Sequence, residues 1–256
     1  MTTHDDHVRR QFDPRAAAYL DSKVHSSGPD LTAALSLLQS LPRRPARILD
    51  LGCGAGHLGF ALCHATDECI ACDPAEGMLR TVQQVIRDRG LANIRTAHAR
   101  AESLPFPDGY FDVVATRYSA HHWGNVPEAL REARRVLVDG GHLLVSDVLG
   151  AALPLVDTHL QTLEVLRDPS HVRNYSTPEW QAMLTHARFE LEHFKRWPTR
   201  LDAATWTERM RTPPEFVSII RRLQRGAPEE VARSLAFEAD GSFTVQTGLF
   251  WARKAY

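Results

Sequence analysis

The sequence predicts an α/β protein: a doubly wound, mostly parallel β-sheet with helices on both faces. Three observations predict it. Short apolar runs alternate with amphipathic stretches of helical period from about position 30 to 150. The first run, Arg47 to Leu51, ends in the glycine turn Gly52-Cys-Gly-Ala-Gly56, and an acid, Asp73, closes the second. Of 256 residues, 43 % are hydrophobic and 24 % charged, which excludes disordered, collagen-like and coiled-coil chains.

The elements follow in order. Asp13-Pro14 reads as an N-cap with proline at the first helical position, opening a short helix to about Asp21 with Ala17, Tyr19 and Leu20 partly inward. Leu31, Ala34, Leu35, Leu38 and Leu41 recur at helical spacing behind Asp30 as N-cap, and Pro42 and Pro45 close that helix. After the first strand and its glycine turn comes a helix through Phe60, Ala61 and Leu62. Cys69 to Asp73 is a second strand, and Met78, Leu79, Val82 and Ile86 line a helix that stops at Gly90. Ile94 to Ala99 and Gly109 to Arg117 make the third and fourth strands, the latter after the turn Pro105-Phe-Pro-Asp-Gly109. Val126, Ala129, Leu130, Ala133 and Leu137 form an amphipathic helix stopped by Gly140-Gly141, and Leu143 to Val148 is the fifth strand.

Beyond residue 150, Thr177-Pro178-Glu179-Trp180 opens a capped helix to about Ala187. A strand over Phe189 to Phe194 follows, residues 202 to 238 are mostly helical in composition, and Phe243 to Trp251 closes the chain as an alternating strand. No linker-like composition interrupts residues 1 to 256, so the expectation is one domain with a helical insertion over 198–242 before the last strand.

Thirty basic and 31 acidic side chains leave a formal charge of −1, which argues against wholesale binding to nucleic acid or a membrane surface. No uncharged apolar run approaches the roughly 18 residues needed for a membrane span. Met1 to Arg10 has no apolar core of a signal peptide, and four cysteines make no disulfide scaffold, so a reducing cytoplasm fits best. Nothing in the chain specifies an oligomeric state.

A strand, a glycine turn, a helix and an acid ending the next strand form a nucleotide-cradling arrangement. In such sheets the ligand lies beyond the carboxyl ends of the strands. Asp73, 19 residues after Gly54, is placed to take both hydroxyls of a ribose. The loose dinucleotide pattern occurs as Gly54-Ala-Gly56-His-Leu-Gly59, the basis for an NAD(P)-dependent oxidoreductase as an alternative. It starts two residues late, because Gly52 already holds the place directly after the strand.

Ile48-Leu-Asp-Leu-Gly-Cys-Gly-Ala-Gly56 resembles the first motif of the class I S-adenosylmethionine-dependent methyltransferases, a Rossmann-like family. Cys72-Asp-Pro-Ala-Glu-Gly-Met78 is similar to its ribose-binding motif. Ala101-Glu-Ser-Leu-Pro-Phe106 is similar to its adenine-flanking loop, and Phe111-Asp-Val-Val114 to its fourth strand. Arg117-Tyr-Ser-Ala-His-His-Trp123 and Arg135 through Gly141 resemble the small-molecule branch that includes ubiquinone/menaquinone-type C-methyltransferases. These matches span residues 46 to 148, with weaker similarity to about 195.

The resemblance implies S-adenosylmethionine as cofactor and a small-molecule methyl acceptor as partner. Asp50, Gly52, Cys53 and Gly54 would receive the methionine part, Asp73 the ribose, and Pro74 and Met78 the adenine. Backbone at Ala101 and Glu102 would read the adenine edge, and the Arg117 carbonyl would face the ammonium. One departure stands out. Arg100 occupies a position where the family usually has an acid, and arginine has no acceptor for the adenine amino group. That contact is therefore lost or moved to Glu102.

Methyl transfer asks mainly for alignment and exclusion of water. His121 and His122, directly after the fourth strand, are the candidate bases, because imidazole titrates near neutrality. The alternative is that they only fix the turn before Trp123. Tyr19, Lys23 and His25 in an amino-terminal lid over residues 1–30, with His122, Trp180 and Trp206, are candidates to line an acceptor pocket. Core packing accounts equally well for each Trp.

Cys69-x-x-Cys72 lies inside a strand, where residues three apart face opposite ways, so buried structural cysteines are expected and no metal site. The other histidines lack a metal-ligand pattern. Eight Lys/Arg between residues 195 and 225 suggest either a solvated helical face or, as a second alternative, an RNA methyltransferase using the insertion.

Overall fold

The computed structural model describes residues 3–15, 20 and 27–255. Its sheet has seven strands: β1 (Arg47–Leu51), β2 (Glu68–Asp73), β3 (Ile94–His98), β4 (Phe111–Arg117), β5 (Leu137–Leu149), β6 (Phe189–Leu201) and β7 (Phe243–Lys254). The spatial order is β3-β2-β1-β4-β5-β7-β6. The first five pair in parallel, whereas β7 runs antiparallel to both β5 and β6. Because the chain steps outward from β1 to β3 and then returns to β4, the switch point lies between β1 and β4. A crevice opens at their carboxyl ends.

The helices are α1 (His4–Phe12), α2 (Pro29–Gln39), α3 (His57–Leu62), α4 (Glu76–Arg89), α5 (Val126–Val136), α6 (Pro154–Arg167), α7 (Thr177–His186), α8 (Ala203–Met210), α9 (Pro214–Arg225) and α10 (Glu229–Ser234). Central strands are apolar on both faces, as a sheet covered twice requires. Leu49, Leu51, Val114, Val145 and Phe250 pack against α5 and α7, while Ile48, Val113, Leu144 and Trp251 face α2 and α3. The two cysteines separate accordingly: Cys72 joins the first face, and Cys69 packs on the other with Phe60 and Val82.

Several boundaries differ from expectation. Asp13 does not take the extended backbone of an N-cap; it ends α1 with helical backbone angles, and its carboxylate accepts from the Gly77 amide at 2.6 Å, while most of the helix expected from it to about Asp21 lies outside the described residues. Asp30 is not a cap either. Gly28 holds that place, and Asp30 lies within the first turn of α2, its carboxylate against Arg117. Helix α5 stops at Val136 rather than at the glycines, and β5 begins at once, with Gly140 taking a positive φ of 74° where the pairing with β4 shifts register. Strand β6 runs to Leu201, through Pro198, so the helical insertion starts at Ala203. Its helices share a cluster with α6: Leu160 and Leu163 pack with Trp206, Ile220, Val231 and Phe243.

Two helices were not anticipated. Helix α1 opens on a capping box between Thr3 and Asp6, a signal readable as two polar residues three apart. Helix α6 carries Val156, Leu160, Leu163 and Arg167 on its buried face behind Pro154.

Candidate active site

The turn after β1 is built for close approach. The amides of Gly52 and Cys53 both donate to the carbonyl of Cys72, at 2.8 and 2.9 Å, which ties the turn to the end of β2. Gly52 has φ 68°, and a Cβ there would stand 1.9 Å from the Ser119 hydroxyl. Gly54 has φ 51°, and a Cβ there would meet nothing within 4 Å because it would project into the crevice.

Two buried carboxylates brace this turn. Asp73 Oδ2 accepts from the Gly54 amide at 2.9 Å and Oδ1 from the Ala75 amide at 2.8 Å. Burial pushes its pKa up to about 6, with those two amides pulling the other way. Asp50 Oδ2 accepts from the Gly59 amide at 2.8 Å, and burial, partly offset by that amide, pushes it up to about 7.

The crevice encloses about 1020 Å³, mouth included. All ten residues expected to hold a cofactor line it: Asp50, Gly52, Cys53, Gly54, Asp73, Pro74, Met78, Ala101, Glu102 and Arg117. Arg117 is buried, with Nε 2.5 Å from Asp30 Oδ2. Helix α1 adds Asp5, Val8 and Phe12, which sequence reasoning missed because it placed no helix there. The helix is tied down at both ends. His4 Nε2–H donates to the His122 carbonyl at 2.8 Å, and Asp13 takes the Gly77 amide.

A second chamber of about 610 Å³, mouth included, adjoins the first and shares Phe12, Tyr118 and His122 with it. His121, Arg167, Asn174 and Trp206 line its far side. His121 Nδ1–H donates to Asp147 Oδ1 at 2.6 Å, and its backbone amide donates to Oδ2 at 3.2 Å. Burial lowers the pKa of His121, but the charge and hydrogen bond of Asp147 more than offset this and leave it above the ordinary value.

His122 differs. The Ser170 hydroxyl gives its hydrogen to Asp168 at 2.6 Å, so His122 Nδ1–H donates to the Ser170 carbonyl at 3.1 Å and Nε2 keeps its lone pair. Burial, then the neighbouring His121, hold His122 down to about 4, a neutral ring at pH 7. The Phe12 ring packs edge-on against it at 4.9 Å.

The remaining candidates fall elsewhere. Trp180 lines neither cavity; it is fully buried between Tyr175 and Phe250 in the core, so the acceptor-pocket role expected for it is corrected to packing. Tyr19, Lys23 and His25 lie outside the described residues. Among the described residues, no group of three or more His, Cys, Asp or Glu is placed to hold a metal ion, and no helix is long and apolar enough to cross a membrane.

Residues 49–145 match the family model for a methyltransferase domain. A Bacillus subtilis protein named as an uncharacterized methyltransferase, YcgJ, is 36 % identical over 204 residues, which cover 80 % of each chain. The chain belongs to the S-adenosylmethionine-dependent methyltransferases. The crystal structure of YcgJ superposes on this methyltransferase with a TM-score of 0.83 at 33 % identity, covering 89 % of this chain and 98 % of that one. The methyltransferase is also 41 % identical to YafE of Escherichia coli over 80 % of this chain and 99 % of that one. It shares 40 % identity with the ubiquinone/menaquinone biosynthesis C-methyltransferase UbiE of Yersinia pestis across 107 residues, 40 % of this chain and 43 % of that one.

Proposed function

We propose that this methyltransferase moves a methyl group from S-adenosylmethionine to a small organic metabolite held in the second chamber. The observation that carries the reading is the junction at His122, where a crevice lined by every expected cofactor residue shares Phe12, Tyr118 and His122 with a separate chamber of metabolite size. The small-molecule branch is also that of UbiE, whose name gives it a quinone-pathway C-methylation.

The cofactor fits the residues present. Asp73 offers carboxylate oxygens for a ribose diol, Gly54 leaves room where a Cβ would intrude, and Pro74 and Met78 give apolar surface for a purine. Bound there, S-adenosylmethionine supplies an electrophilic methyl group on a sulfonium. The chain does the rest. Helix α1, the described part of the lid expected over residues 1–30, acts to exclude water from the junction through Val8 and Phe12. His122, neutral and wedged against Phe12, positions the acceptor at the boundary between the chambers.

Asp147 fixes the hydrogen of His121 on Nδ1, which leaves Nε2 to take a proton from a hydroxyl or acidic carbon of the acceptor. The same carboxylate stabilises the imidazolium that results. His121, rather than His122, is thus the base on both charge and geometry. The test is a labelled-methyl assay on fractionated metabolites from the native cell, run beside His121→Ala and His122→Ala. Transfer to a low-molecular-weight fraction, strongly reduced in both variants while each still binds S-adenosylhomocysteine, is expected. Transfer to RNA alone, or undiminished turnover in His121→Ala, would overturn it.

A further inference from the structure

We propose that Asp5, a residue of α1 rather than of the sheet, is the acid that receives the amino group of the donor's purine, and that Arg100 positions it. This rests on the reading above that the crevice holds S-adenosylmethionine.

The crevice crosses the carboxyl ends of β1, β2 and β3 in turn, so the group beyond the ribose-binding Asp73 meets the loop after β3, residues 99–102. That loop carries Arg100, whose guanidinium has donors only and cannot accept from an exocyclic amine. A bare cation at this edge would repel the amino hydrogens. It is not bare. Arg100 pairs with the Asp5 carboxylate through Nη1, and its Nε stands 3.5 Å from Glu102.

The two acids are not equivalent. Glu102 is mostly buried, and its Oε1 accepts the Asn125 amide at 3.2 Å, which ties it to the loop leading into α5. Asp5 is about one-third exposed, 32 %, at the crevice wall, and Arg100 engages only its Oδ2. Its Oδ1 has no hydrogen-bond partner among the described residues. Three fixtures hold Asp5 in place: the capping box of Thr3 and Asp6, the His4 bond to the His122 carbonyl, and the Asp13 bond to Gly77.

The arrangement has a consequence for the lid. An acid on the sheet would bind the purine whether or not α1 were docked. An acid on α1 binds it only when the helix is down, so donor affinity reports lid closure.

The experiment is calorimetric binding of S-adenosylhomocysteine and of its analogue lacking the purine 6-amino group, to the full-length protein. A hydrogen bond to a charged acceptor predicts that the wild type prefers the amino-bearing ligand by about tenfold or more. Asp5→Asn and Asp5→Ala are expected to lose that preference by weakening the amino-bearing ligand alone. Arg100→Ala should lose part of it, Arg100→Lys should restore some, and Glu102→Gln should keep it. Retention of the full preference in both Asp5 variants, or its loss in Glu102→Gln, would overturn the proposal. Absence of S-adenosylhomocysteine binding to the wild type would instead overturn the cofactor reading beneath it.

Discussion

The Nδ1–H of His121 meets Asp147 Oδ1 at 2.6 Å while the backbone amide of the same histidine reaches Oδ2 at 3.2 Å, so one carboxylate fixes both the ring and the loop that carries it. A side chain held this way has one tautomer and one free ring nitrogen. Because His121 titrates above its ordinary value and acts as a base when neutral, kcat should rise with pH through a value above 6.5 and then level. Asp147→Asn removes the charge that offsets burial, so the rising limb should move to lower pH. The plateau should fall about 10²- to 10⁴-fold through the wrong tautomer. A pH–rate profile of both proteins checks this; an unmoved limb would assign the limb to another group.

Asp73 titrates near 6 in the ligand-free protein, raised by burial. A ribose diol donates to the ionised form, so affinity for S-adenosylhomocysteine should be constant above pH 7 and decline as pH falls through about 6. The carboxyl's preference for its proton in the folded state makes the opposite contribution to ligand-free stability: that contribution is complete below the unfolded value of about 3.9 and is lost as pH rises through 6. Asp73→Asn should weaken binding about ten- to hundredfold and remove its acid limb. Calorimetry from pH 5 to 8 measures both.

Gly54 and Gly90 offer a matched pair. Both have positive φ, 51° and 62°, and a Cβ on either meets nothing within 4 Å, but only Gly54 lines the crevice. Alanine at each should cost about 1 kcal/mol of stability from left-handed backbone. Gly54→Ala should also weaken S-adenosylhomocysteine binding by more than tenfold, whereas Gly90→Ala should leave it unchanged. Equal binding by the two variants would place the donor elsewhere.

Arg117 and Asp30 form a buried ion pair beneath the crevice, with the Ser146 hydroxyl 3.4 Å from the same carboxylate. Removing one partner strands a charge, so Asp30→Ala should lower unfolding free energy by about 3–5 kcal/mol. The double variant Asp30→Ala/Arg117→Met should recover a large part of that loss. Denaturant unfolding of the two proteins gives the comparison.

The first crevice was legible in one dimension because each of its parts is a local signal. Gly52 and Gly54 mark a turn no other residue adopts cheaply, Asp73 ends an apolar run, and the Ala101-Glu102 pair follows the next run at a strand's distance. Parallel strands then bring their carboxyl ends together by construction, so all ten residues arrive in one crevice. The acceptor side had no such construction to rely on. Trp180 looked as suitable for a pocket as Trp206, yet one faces Phe250 in the core and the other lines the chamber.

The chain's own order of apolar runs, glycines and acids therefore determined the α/β sheet and the residues that line the first crevice, since these depend on spacing along a strand–turn–helix unit. Tertiary structure alone decided which acid stands beside Arg100, which carboxylate pairs with His121, and where the second chamber lies. Those contacts join positions as distant in sequence as Asp5 and Arg100, or Asp30 and Arg117. No local periodicity encodes such pairs; they form only when helices dock on the finished sheet and burial leaves a charge one partner within reach.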